Sequence, residues 1–470
     1  MQCLRSVFFL GCMLFTRAAF AAIELPSFIG DHMVLQRETH VPLWGKARAG
    51  ARVTLTSSWN RKTYTTQADA AGNWKVMIQT PAAGGPYQIT CNDGTPLILT
   101  DVLIGEVWLA SGQSNMEMPV AGFRNQPVLN SNDLLMESGN PEIRLCQLEH
   151  GAVLTPASAA KSTGWQQSDA QMVKKFSAVA YQYAKILQER LRVPVGIIGS
   201  YWGGTIIEAW MNTHSLQAFP HIRIPRDTVG TGKNTATALF NAMICPLVGY
   251  GIKGVIWYQG EQNRPSAAIY DSLLLAMVKE WRTLWNQGEW PFYYVQIAPY
   301  RYNDKLGPSA PLREAQQKAA AIIPHCGMVV SMDAGEEKTI HPANKTVISR
   351  RLAYWALANT YGRPGIAFES PVYKSMKVED NGSVTVLFDH APNGLTAFGK
   401  ELAAFELAGS DQQFYPATAT ITGQGVRLSS GQVKSPVAVR YAFKDWVTGD
   451  LYNTEGLPAA PFRTDTWEIK

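Results

Sequence analysis

The sequence predicts an α/β protein, a parallel sheet with helices on both faces, flanked by small antiparallel β units. Three observations carry that prediction. Between about residues 101 and 365, short apolar runs alternate with stretches of helical length and periodicity, as when crossover helices join parallel strands. On either side the texture changes to short alternating runs punctuated by Gly and Asn-Asp, the pattern of small antiparallel sheets. Finally, a chain of 470 residues is too long for one compact core, so two or three units are expected.

Taken in order, residues 1–21 read as an export signal. "MQCLR" supplies a positive charge, "SVFFLGCMLF" is an apolar core too short to span a bilayer, and Ala19-Phe20-Ala21 fits a small-x-small cleavage site. Cleavage after Ala21 is expected, giving an exported, soluble product, periplasmic or secreted. Loss of Arg5 and Arg17 takes the formal net charge from +5 to +3. No run of Lys or Arg forms a basic stripe, which argues against a nucleic-acid partner.

Residues 22–100 form an N-terminal β-sandwich-like domain, on the strength of "ARVTLTSSW", "KTYTTQAD", "NWKVMIQTP" and "PYQITCND". Residues 101–365 form the central domain, with strands expected at 103–110, 194–199, 253–258, 291–297 and 327–332. Its helices fall within 174–191, 268–285, 311–323 and 344–361, and 115–170 reads as an irregular excursion over the sheet's upper edge. Residues 366–470, with "SVTVLFDH", "ATATITGQGVRLSS" and "PVAVRYAF", form a C-terminal β domain. It is free to pack on either neighbour. Four cysteines remain after the signal, Cys91, Cys146, Cys245 and Cys326, scattered and without a CxxC pair. That disfavours zinc and points to buried free thiols, although export permits disulfides.

In an open parallel sheet the active crevice lies beyond the carboxyl ends of the strands, so the residues just after each strand are informative. The first strand leads into Gly112-Gln113-Ser114-Asn115 and the second into Ser200-Tyr201-Trp202-Gly203-Gly204. The third leads into Gln259-Gly260-Glu261-Gln262-Asn263, and the fifth into Asp333 and "GEEKTIHPANK" with His341. These are the parts of an acyl-transfer site. Ser114 is the candidate nucleophile and His341 its base. Gly203 or Gly204 brings a backbone N–H to an oxyanion, and Gln259 or Asn263 adds an amide donor. Gln113, Trp202 and Glu261 are candidate substrate contacts.

Each part alone is weak, because a serine after a strand is more often a turn residue. Their succession after separate strands of one sheet favours catalysis. No G-x-S-x-G elbow, HExxH, P-loop or GxGxxG is present, so the usual α/β-hydrolase, zinc-protease and nucleotide readings lack support. Glu208, Glu261 and Asp333 lie near strand ends and keep a glycosidase in contention.

"GEVWLASGQSNMEMPV", "GIIGSYWGGTIIEAWM", "KGVIWYQGEQN" and "IHPANK" together resemble the sialate O-acetylesterase family of the SGNH hydrolase superfamily. The resemblance extends from "FIGDHMVLQRE" to "LYNTEGLPAAPFRTD". It implies a flavodoxin-like SGNH hydrolase domain with flanking β domains, and hydrolysis of acetyl esters on sugars with no metal or organic cofactor. Ser114 would be nucleophile and His341 base. The oxyanion hole would be Ser114 N–H with a glycine of Gly203-Gly204 and an amide from Gln259 or Asn263.

One departure stands out. Many SGNH enzymes carry Asp three residues before the histidine, where this chain has Lys338, and an ammonium has no acceptor for an imidazole N–H. Asp333 is the favoured substitute, with Glu336, Glu337 or a backbone carbonyl as alternatives. A sialate substrate would add a carboxylate for Arg124, Arg223, Arg226 or Arg301. The alternatives are an acetylxylan or other plant-glycan esterase and, in another class, a non-catalytic glycan-binding protein. If His341 has its ordinary pKa of about 6.5, activity should fall below that pH.

Overall fold

The computed structural model describes residues 23–225, 230–423 and 425–469. The expected export signal and Arg226 therefore lie outside the described residues.

The central sheet is built on one long strand, β1 (Pro96–Gly112). Around it lie β2 (Asn140–Gln147), β3 (Gln166–Ser168), β4 (Val195–Tyr201), β5 (Gly254–Tyr258), β6 (Phe292–Val295) and β7 (Cys326–Val329). The order across the sheet is β7-β6-β5-β1-β4-β2-β3. All pairs are parallel except β2–β3. The five strands expected from sequence thus run 2-1-3-4-5, the flavodoxin-like order, with the switch point beside β1.

Alternate residues of β1 enter opposite cores. Val107 and Leu109 join one apolar cluster, while Trp108 and Ala110 join the other. Strands covered on both faces read as continuous apolar runs, which is why "VLIGEVWLA" shows no alternation.

Two expectations change here. The stretch 115–170 is no mere excursion, because it contributes β2, which pairs in parallel with β4 and extends the sheet. Its run "NPEIRLCQ" places Pro and Glu just after the opening Asn and an Arg further on, which hid the strand. The helix expected over 174–191 is broken at Phe176-Ser177. The Ser177 side chain accepts from Ala180 N and caps a helix over Ala178–Leu191, satisfying a donor that a helix start leaves unpaired.

The amino-terminal half of β1 also pairs with Gly84–Asn92 (antiparallel) and Val34–Gln36 (parallel). The boundary expected between residues 100 and 101 therefore lies within a single strand shared by the N-terminal β unit and the central sheet. The C-terminal unit contains two four-stranded antiparallel sheets and docks on the central domain. Ser309 Oγ donates to Asp445 Oδ1 at 2.8 Å, Arg463 pairs with Glu314 at 3.1 Å, and Arg313 donates to the Lys444 carbonyl. The four described cysteines are free thiols, Cys91 and Cys146 buried as expected but Cys245 and Cys326 only partly so. Among the described residues no helix is long and apolar enough to cross a membrane.

Candidate active site

The crevice opens where β1, β4 and β5 end, and backbone hydrogen bonds lace those ends together. Gln113 N donates to Tyr258 O at 2.9 Å, and Trp202 N donates to Gly112 O at 3.0 Å. Gly112 makes this approach possible. Its φ is +132°, and a Cβ there would lie 2.2 Å from Tyr258 O, so only glycine fits.

Ser114 begins the one-turn helix α1 (Ser114–Glu117) immediately beyond β1. Its neighbour Asn115 is buried and does the local organising. Asn115 Nδ2 donates to Ile340 O at 3.0 Å and to Glu261 Oε1 at 2.7 Å, and Asn115 Oδ1 accepts from Lys345 Nζ at 2.6 Å. Since Ile340 precedes His341, this carboxamide fastens the histidine loop to the turn that carries the serine. Ser114 Oγ has no hydrogen-bond partner among the described residues. Such catalytic contacts are often long until substrate binds.

The imidazole is held from behind by an amide. His341 Nδ1 lies 2.5 Å from Gln126 Oε1, and Phe123 packs edge-on at 5.2 Å. An amide oxygen only accepts, so Nδ1 carries the proton and Nε2 keeps its lone pair, as a general base requires. Burial, reinforced by the Lys345 charge and opposed by Glu117, lowers the His341 pKa to about 4.

None of the acids expected behind His341 stands there. Asp333 gives both oxygens to Arg351, each at 2.7 Å. Glu336 accepts from Ala343 N at 2.7 Å, and Glu337 pairs with Arg301. Asp333 ends close to its strand, and the bidentate guanidinium claims it before the imidazole can. Nothing in the stretch "FRNQP" marks Gln126 as a functional residue, so sequence reasoning missed it.

The open choice of side-chain donor is narrowed by counting hydrogens. Gln259 is fully buried, and its Nε2 donates to Thr205 O at 2.8 Å and Asn263 Oδ1 at 2.7 Å. Both of its amide hydrogens are committed. Among the described residues Asn263 Nδ2 donates to Glu208 Oε2 alone, at 2.8 Å, and keeps one hydrogen. Gly203 packs against Ser114, and a Cβ on it would lie 3.1 Å from Ser114 Cβ. Its N–H goes to Glu117 Oε2 at 2.5 Å, whereas the amides of Ser114 and Gly204 have no acceptor among the described residues.

Two residues expected to touch substrate lie below the floor. Gln113 is 3% exposed, with Oε1 accepting from Gly260 N, and Glu261 is 4% exposed, turned toward Asn115. Burial raises the Glu261 pKa and lowers that of Lys345 to about 7. Trp202 is half-buried at the crevice and stacks on His150 with ring centroids 4.4 Å apart, while His150 Nε2 lies 3.1 Å from Glu117 Oε1. With Glu208 and Glu261 buried and Asp333 paired, these acids do not form the pair a glycosidase needs.

The model of the family described as "carbohydrate esterase, sialic acid-specific acetylesterase" matches residues 104–356, more than half of the chain and every block described above. This chain belongs to that family. The likeness to a solved structure extends over nearly the whole chain. A carbohydrate acetylesterase from Xanthomonas citri, 36% identical, superposes with a TM-score of 0.86, covering 95% of this chain and 100% of that one. The sialate O-acetylesterase of Homo sapiens is 29% identical, with 95% of this chain and 93% of the relative covered. That of Mus musculus is 28% identical, with 95% of each covered. This family member is thus a carbohydrate esterase whose sheet, crevice and sequence blocks coincide.

Proposed function

We propose that this esterase is an exported enzyme that removes O-acetyl groups from sialic acid through a serine acyl-enzyme. The observation that carries the mechanism is the Asn115 carboxamide on the Ile340 carbonyl, which fastens the loop of the base to the turn of the nucleophile. Ser114 Oγ attacks the acetyl carbonyl while His341 Nε2 takes its proton. The Gln126 contact keeps that nitrogen free of hydrogen and aimed. The developing oxyanion is received by the amides of Ser114 and Gly204 and by the remaining hydrogen of Asn263 Nδ2. The tetrahedral adduct collapses, His341 returns the proton to the departing sugar oxygen, and water clears the acetyl group by the reverse sequence.

No step in this scheme requires a metal or organic cofactor. Gln126 contributes orientation without charge, so the imidazolium lacks the carboxylate that usually faces it. Export is supported by the composition of residues 1–21. N-terminal sequencing of the protein recovered from cells tests it, with a mature chain starting at Ala22 expected and an uncleaved Met1 opposing it.

The test of the main reading is acetate release from O-acetylated sialic acid by the wild type and Ser114→Ala. A variant retaining more than a few per cent of the rate would remove the serine mechanism. A second reading is an acetylesterase of neutral plant glycans such as acetylxylan, since the 36% identical Xanthomonas citri relative is described as a carbohydrate acetylesterase with no sialic acid specified. Release from acetylated xylan but not from sialic acid would favour it.

A further inference from the structure

One cation beside the nucleophile is not accounted for by the catalytic steps. Lys233 is half-buried, and its Nζ donates to Gly203 O at 2.6 Å. It lies so close to the glycine pair that a Cβ on Gly204 would stand 3.2 Å from Nζ. The segment around it is fixed. Asn234 Nδ2 donates to Gly204 O at 3.0 Å, Asn234 Oδ1 accepts from Ile206 N at 3.0 Å, and Gly232 N donates to Thr235 Oγ1 at 2.9 Å. Lys233 and Asn234 are therefore anchored on Gly203 and Gly204 respectively, and Gly203 is the glycine that packs against Ser114.

An ammonium has three donors, and the Gly203 carbonyl uses one. No carboxylate among the described residues forms an ion pair with Lys233. The nearby acid, Glu117, is committed to Gly203 N–H and His150. The other cations of the region are spent or placed elsewhere. Arg301 pairs with Glu337, Arg264 is held by Asp304 and the Gly307 carbonyl, and Lys345 is buried beneath the floor on Asn115. Neither Arg124 nor Arg223 hydrogen-bonds a crevice residue among the described residues. A half-buried cation with donors to spare, fixed at the edge of an acyl-transfer crevice, selects for an anion on the substrate. Partial burial weakens solvent screening and makes the pairing worth more than a surface contact.

We propose that Lys233 is a specificity determinant that pairs with the carboxylate of an acidic acetylated sugar while the acetyl carbonyl lies over Ser114. This rests on the sialate reading above, since a neutral sugar presents nothing for the ammonium to pair with. It replaces the arginines that sequence suggested for this task with a lysine anchored on the Gly203 carbonyl.

The experiment compares O-acetylated sialic acid with its methyl ester, which keeps the sugar and the acetyl group and removes only the charge. The quantity read is the ratio of kcat/KM for the acid to that for the ester, so a general loss of folding or of Gly203 positioning cancels. In the wild type the acid is preferred. Lys233→Met lowers the ratio by about 10- to 100-fold, the range for losing one charge-assisted hydrogen bond, and Lys233→Arg recovers most of it. An unchanged ratio in Lys233→Met overturns the proposal, whatever happens to the absolute rates. If the wild type releases acetate from acetylated xylan but from neither sialic acid derivative, the sialate reading fails and takes this assignment with it. The two failures are thus told apart by the wild-type rate alone.

Discussion

His341 Nδ1 donates to Gln126 Oε1 across 2.5 Å, so an amide occupies the place where SGNH hydrolases commonly put an aspartate. The contact orients the imidazole and fixes its tautomer but leaves it without a balancing charge. Gln126→Ala should therefore lower kcat/KM by about 10- to 100-fold, within the span that general-base catalysis contributes. Gln126→Glu should restore orientation and raise the pKa of His341, moving the acid limb of the pH profile upward. Steady-state rates on a chromogenic acetyl ester, measured across pH, check both variants. Unaltered kinetics in Gln126→Ala would remove the residue from the site.

The pH dependence has its origin in burial. An imidazole works as a base only when neutral, and with its pKa lowered to about 4 His341 stays neutral well below the usual imidazole range. Activity on an uncharged ester should persist through about pH 5 and fall near pH 4, not near the ordinary imidazole value of about 6.5. Lys345 is protonated at those pH values and contributes to the lowering. Lys345→Met should accordingly shift the acid limb to higher pH. A limb that stays in place would show that the lysine charge is screened from the imidazole.

Asp333 makes a different kind of prediction. Both of its oxygens meet Arg351, a buried guanidinium. Breaking such a pair leaves a desolvated charge uncompensated. Asp333→Asn should cost up to about 3 kcal/mol of stability, seen as a lower urea midpoint. The acid limb of its pH profile should match the wild type. A displaced limb would return Asp333 to the imidazole.

Asn263 and Gln259 should separate in the same way. Asn263→Ala removes the donor with a hydrogen to spare and should lower kcat by about 10²- to 10³-fold, as loss of one oxyanion donor does. Gln259→Leu strands Thr205 O and the Asn263 side chain inside the protein and should appear first as a lower Tm. Thermal melts paired with kcat on the same preparations decide between the two.

The sequence by itself was enough for the five strands expected of the parallel sheet and for the blocks that meet at its edge, but not for the strand Asn140–Gln147. Strand-end motifs such as "GQSNM", "WGG" and "QGEQN" are local. A buried parallel strand needs a continuous apolar run, and the turn after it needs small or capping residues, so both signals lie within a short stretch of chain. Asn115 and Lys345 also sat in plain view inside "GQSNM" and "HPANK", but nothing local revealed that one bonds the other. The partner behind His341 was not legible at all. Gln126 and His341 are 215 residues apart, and any acceptor on any passing loop would have satisfied the sequence. Asp333 looked suitable until Arg351 claimed it. Which acid is spent in an ion pair, which amide keeps a hydrogen and which lysine ends on the Gly203 carbonyl depend on three-dimensional competition for a few donors and acceptors, and only the tertiary structure decides that.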